Sequence, residues 1–246
     1  MNVLPPLMAG LISALATGLG ALPFVLFRRV TGAWQGISSA VAAGMMFGAS
    51  VFSLAHEGLE KGGPWEIVGG LMSGAGFFWV TARFLERHKP AGGWTQGGLS
   101  VRSALIIITM FIHSAAEGVA IGVGFGTEEK TLGLLIALVI TVHNIPEGIA
   151  ITLPLRAQGV SIWRCAGYSV FSSLPQPIMA VPAFLLVETF DVLLTFCLGF
   201  AGGAMVYLVM AELLPDSFEH CTPHQTAWGV MVGMSGMLLF VALVGG

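Results

Sequence analysis

Charge is what this chain has least of. Only 9% of its 246 residues are Asp, Glu, Lys or Arg, where a soluble domain carries about a quarter. With 55% hydrophobic residues and a mean hydropathy of +0.87, that scarcity excludes an ordinary water-soluble domain. There is no basic patch with interleaved aromatics, so nucleic acid is not an expected partner. Cysteine is sparse as well: Cys165, Cys197 and Cys221 show no CxxC spacing and read as small apolar packing residues. No Lys or Arg precedes the first apolar run, so the basic region of a cleavable signal peptide is missing and the first segment is expected to stay as a membrane helix. What the chain has instead is glycine, 34 residues of it, and glycine is commoner in membrane helices than in soluble ones.

Eight apolar stretches follow one another, at roughly 4–27, 34–58, 65–86, 103–127, 131–155, 161–187, 190–214 and 225–245. Each is long enough to cross a hydrocarbon core of about 30 Å at 1.5 Å per residue. The breaks between them are short, and none has room for a soluble domain. The expected fold is all-α: a polytopic transmembrane bundle of eight helices, forming one domain over 1–246, with a flexible linker at about 88–102 where Gly, Pro and Gln gather. The basic residues set its orientation. Arg28, Arg29, Arg83, Arg87, Lys89, Arg102, Arg156 and Arg164 fall at the first, third and fifth connections, and only Lys61 and Lys130 at the second and fourth. By the positive-inside rule the odd connections are cytoplasmic and both termini lie outside.

Against this apolar background, segments four and five carry the same polar insert: His113-Ser-Ala-Ala-Glu117-Gly118 and His143-Asn-Ile-Pro-Glu147-Gly148. A His and a Glu four apart share one helix face, a turn apart. Ionisable groups at the middle of a membrane helix are costly and mark sites or pathways. Both pairs sit near the centre of their segments, and neighbours joined by a short loop pack antiparallel. The two pairs then meet at one depth. Gly118 and Gly148 are expected to let these two helices approach closely, and Pro146 to interrupt segment five and free the carbonyl of Val142. Two imidazoles and two carboxylates suit a borderline divalent ion: Zn²⁺ by default, with Fe²⁺, Mn²⁺, Co²⁺ and Cd²⁺ also admitted. The bland alternative is a packing clamp in which each His hydrogen-bonds a Glu across the helix pair.

These motifs, with AGGAMVYLVMAELLPDSFEH in segment seven, ATGLGALP in segment one and GMMFGASVFSLAHEGLE in segment two, resemble the ZIP family of metal-ion transporters, in particular its bacterial GufA-like branch. The resemblance covers essentially the whole chain. It implies import of a divalent cation, usually zinc, by an integral protein of the bacterial inner membrane. The expected partners are the metal-ion substrate, the lipid bilayer and a second copy in a homodimer. It also implies that His113, Glu117, His143 and Glu147 hold a primary ion and that the two Glu bridge to a second, with Asn144 and the residue at Ser114 serving that second position. Ser114 stands where the family has Asn, and Gln176 stands where segment six normally brings a Glu. A neutral amide is a weaker ligand than a carboxylate, which predicts a dominant mononuclear site.

Three outlying features are weaker. His56-Glu57 at the outer end of segment two reads as an ion-capturing entrance or a plain solvated helix end. Glu212, Asp216, Glu219, His220 and His224 form a cation-attracting exit or a polar loop. The twelve methionines read as gap-filling core. A metal-dependent intramembrane hydrolase is the competing function, since His and Glu around Zn²⁺ can activate water. The chain has no HExxH and no obvious separate general base, so an enzyme is not the expected reading.

Overall fold

The structure, a computed structural model, describes residues 2–26, 32–87, 101–127, 130–190 and 193–244. Regular structure among them is wholly helical, and eight helices are long and apolar enough to cross a membrane. They are α1 (Leu4–Val25), α2 (Gly32–Lys61), α3 (Pro64–Leu85), α4 (Ser103–Phe125), α5 (Thr131–Ala157), α6 (Ile162–Thr189), α7 (Leu193–His220) and α8 (Pro223–Val244). The all-α bundle expected from hydropathy is therefore observed. Arg28, Arg29 and the linker up to residue 100 lie outside the described residues.

Helices are the form a chain must take in lipid, because each backbone N–H and C=O finds its partner within the segment. Three helices depart from a uniform ladder. In α2 the stretch Ser50–Ala55 is π-helical, and in α7 so is Val209–Leu213. The apolar pattern places the end of segment seven at residue 214, before Pro215, but the helix continues to His220. Pro215 falls in the first turn of the segment that follows the π turn, where no N–H is required of it. The third departure is on α6, where the helix divides into Ile162–Ser173 and Pro175–Thr189. α5 continues through Pro146 to Ala157, and the N–H that Pro146 lacks leaves the Val142 carbonyl without its helical partner, as expected. The donors missing from α5 are eight residues apart, at Pro146 and Pro154, whereas Pro175 and Pro177 remove two within three residues of α6.

Glycine explains which helices touch. Across the α2–α8 pair, Gly44 lies against the Val230 carbonyl and Gly233 against that of Val41. Across α3–α7, Gly70 and Gly74 meet the carbonyls of Phe196 and Phe200, and Gly203 meets that of Leu71. Such contacts leave no room for a Cβ, and close backbone approach of this kind supplies the packing that lipid-solvated helices cannot draw from hydrophobicity. The same device joins α4 to α6 and α1 to α5. Here the sequence expectation needs correcting. Gly118 abuts the backbone of Gln176 on α6, and Gly148 abuts Thr17 and Gly20 on α1; neither glycine serves the α4–α5 contact. The reason is angular. Successive residues on a helix are about 100° apart, so once Glu117 and Glu147 turn toward each other, the glycines after them face other neighbours. The result is a group of mutually packed helices, α1, α4, α5 and α6, set against a second group, α2, α3, α7 and α8, with α2–α5 and α4–α7 contacts joining them.

Candidate metal centre

The α4–α5 interface brings the two polar inserts together. His113, Ser114, Glu117, His143, Asn144 and Glu147 are all fully buried, and Gln176 reaches them from α6, also fully buried. One ligand atom each from Glu117, His143 and Glu147 lie within 4.8 Å of one another. His143 Nε2 is 2.7 Å from Glu117 Oε1. His113 Nε2 stands 3.4 Å from the same oxygen, without hydrogen-bond alignment. Its imidazole rests edge-on against Phe78 of α3, with ring centroids 5.9 Å apart. Thus all four residues of the repeated motif converge on one place, with His113 at its margin.

A chain of hydrogen bonds fixes the opposite side of the site. Asn144 Nδ2 donates to the Ser13 carbonyl at 3.0 Å, to Ser13 Oγ at 2.9 Å and to Gln176 Oε1 at 3.2 Å. Gln176 Nε2 in turn donates to Glu117 Oε2 at 2.6 Å. Gln176, expected beside the second metal position, is here a donor to the Glu117 carboxylate. One turn beyond Ser13 on α1, Thr17 Oγ1 pairs with Ser173 Oγ of α6 at 2.8 Å.

The remaining polar atoms of the site have no partner within the protein. Both nitrogens of His113, Ser114 Oγ, His143 Nδ1, Asn144 Oδ1 and both oxygens of Glu147 are buried without a hydrogen bond, seven of the nine such side-chain atoms among the described residues. Buried polar groups are normally paired, and leaving one unpaired costs about 1–3 kcal/mol. Among these orphans, the Glu147 oxygens and one nitrogen of His113 are atoms of the type that a bound cation would satisfy. The clamp alternative is not supported: only the Glu117–His143 half of it forms, and Glu147 bonds to neither imidazole.

A cavity of about 550 Å³ opens toward this site from one end of the bundle. Its walls include Thr109 and Met110, one turn before His113, and Ala150, one turn after Glu147. At its outer part stand Glu212, Asp216 and Glu219 of α7, with Gln35 and Ser39 of α2. Ligand atoms of Asp216, Glu219 and His220 also lie within 4.8 Å of one another. Gln35 Nε2 and Ser39 Oγ donate to the two oxygens of Asp216 at 2.8 and 2.6 Å. Of the five acidic and His residues expected to form an exit, these three gather, Glu212 lines the same cavity, and His224 is exposed outside the group. His56 is exposed and joins no such group among the described residues.

Sequence patterning missed Ser13, Thr17 and Phe78. The first two were signalled only by a four-residue polar stripe on an otherwise apolar α1, and Phe78 carried no signal, being one aromatic among many.

A sequence model of the ZIP zinc transporter family matches residues 86–241. The zinc transporter GufA of Myxococcus xanthus is 33% identical over 92% of this chain and 94% of its own length. The zinc transporter ZIPB of Bordetella bronchiseptica is 31% identical over 94% of the chain and 78% of its own length. A putative zinc transporter of Arabidopsis thaliana is 42% identical over 92% of the chain, which spans only 37% of that longer protein. The chain belongs to the ZIP zinc transporter family.

Proposed function

We propose that this protein carries divalent transition-metal cations, zinc foremost, across a membrane into the cytoplasm, and that His113, Glu117, His143 and Glu147 hold the ion midway. One observation carries the reading: two imidazoles and two carboxylates are wholly buried in a membrane-type bundle, with ligand atoms of Glu117, His143 and Glu147 within 4.8 Å of one another and both Glu147 oxygens unpaired. Zinc takes N and O ligands at about 2.0–2.2 Å. A dication there replaces its lost hydration with protein ligands and neutralises the two carboxylates. Fe²⁺, Mn²⁺, Co²⁺ and Cd²⁺ fit the same donor types.

The path follows from the cavity. Its walls come from residues near the first, third, fifth and seventh connections, the first three of which carry eight of the ten basic residues. The positive-inside rule makes that end cytoplasmic and puts both termini outside. The conformation is then inward-open, with the Asp216–Glu219–His220 group at the mouth receiving the released ion. A single transport domain in a bacterial inner membrane completes the proposal.

The relatives compared above all bear zinc-transporter names, and none supports the hydrolase alternative. The test is zinc entry into proteoliposomes loaded with a fluorescent chelator. Uptake is expected with the wild type and absent with Glu147→Ala that still elutes as a monodisperse species. Undiminished uptake by that variant sinks the site.

A further inference from the structure

The amide chain beside the metal centre runs in one direction only. The Ser13 carbonyl can only accept, so the Asn144 amide must turn its Nδ2 toward α1. Nδ2 also faces Gln176, so Gln176 must offer its Oε1 there. That leaves Nε2 of Gln176 directed at Glu117 Oε2, which as a carboxylate oxygen accepts. Flipping Gln176 would set two donors against each other at one end and two acceptors at the other. Each link is thus fixed by the one before it, from a backbone carbonyl to the carboxylate. All three side chains are fully buried.

We propose that Gln176 is a positioning residue that restricts the centre to one ion: its amide N–H caps the Glu117 oxygen that would otherwise bridge to a second cation. This rests on the metal-site reading above. Glu117 is left with Oε1, which His143 Nε2 holds at 2.7 Å. An imidazole nitrogen can give up its proton and become a ligand itself, whereas the amide N–H on Oε2 cannot, so Oε1 is the oxygen open to the ion. Glu117 therefore binds through a single oxygen, in an orientation set by its hydrogen-bonded partner, the usual service of an outer-sphere group. The charge count agrees. Two carboxylates balance one dication, and the neutral amide adds no charge to hold another. The carbonyl oxygen of Gln176 is turned toward Asn144, away from the Glu117 carboxylate.

Zinc bound by the purified full chain, counted by mass spectrometry after gel filtration, tests this. The count is taken as the excess over the His143→Ala/Glu147→Ala double variant, which subtracts ions held at the Asp216 group. The wild type is expected to give one, and Gln176→Glu two. Gln176→Ala is expected to keep one ion with roughly 10- to 100-fold weaker affinity. Ser13→Ala, which loosens the anchor without touching the carboxylate, serves as a milder variant and is expected to weaken zinc less. A wild-type excess of two, or a Gln176→Glu excess that stays at one, overturns the inference while leaving the metal site standing. A wild-type excess of zero overturns the site itself and the inference with it.

Discussion

At the scale of single residues, the four motif side chains are not equivalent. Glu147 has both carboxyl oxygens buried and unpaired, so both are available to an ion and committed to nothing else. Glu147→Gln keeps shape and loses charge. We expect it to cost about 3 kcal/mol of binding, roughly a hundredfold in zinc affinity, read by isothermal titration on the folded variant; a change under threefold refutes the assignment. The two histidines divide differently. His143 belongs to the compact Glu117–His143–Glu147 group, while His113 stands outside it and leans on Phe78. His143→Ala should therefore lower zinc affinity more than His113→Ala, and the reverse order in the same titration contradicts the geometry. All four were legible in the sequence because costly groups stood at a four-residue spacing in apolar helices. Gln176 was legible as a position but not as a donor, since the direction of its amide depends on Ser13, 163 residues away in the chain. Ser13 is an ordinary serine on an apolar helix, and serines there usually bond their own backbone.

At the scale of helices, contact identity is written in glycines, but only three-dimensional facing tells which partner each one meets. Gly148 touches the Thr17 carbonyl of α1 with no space for a methyl group. Gly148→Ala is expected to push α1 off α5 and to lower stability by about 1–3 kcal/mol, the usual cost of overpacking. Gly76 of α3 provides the contrast, because a Cβ added there meets nothing within 4 Å. The same substitution at Gly76 should be neutral or raise stability by about 0.5–1 kcal/mol, since it removes backbone freedom from the unfolded state. Thermal unfolding in detergent checks both: equal Tm shifts at the two positions would contradict the packing described. Hydropathy marked the existence of all eight helices and missed their inner irregularities. The π segments of α2 and α7 carry no composition signature, and the division of α6 falls at Pro175 and Pro177, two residues apart, whereas α5 stays continuous through the widely spaced Pro146 and Pro154.

At the scale of the whole molecule, a cavity reaches the candidate metal centre from one end of the bundle, and the proposed function takes that end as cytoplasmic from the charge of the connections. The cavity descends between α2, α3, α4, α5 and α7 to within a turn of His113 and Glu147, and its walls belong to the helix ends nearest the Arg-rich connections. Reading the sidedness needs both observations: basic residues orient the bundle without opening it, and the cavity opens it without orienting it. A cysteine placed at Ala150, half-buried in the cavity wall, joins the two. In a background with Cys165, Cys197 and Cys221 replaced by Ala, Ala150→Cys is expected to react with a membrane-impermeant thiol reagent in inside-out vesicles and to resist it in right-side-out vesicles. A second probe, Thr109→Cys on the facing helix α4, should behave alike, because both residues line the same space. Labelling of both from the outside alone would invert the proposed orientation. If one were labelled from each side, the two positions would not share a cavity, and the inward-open conformation would have to be abandoned along with the exit at Asp216.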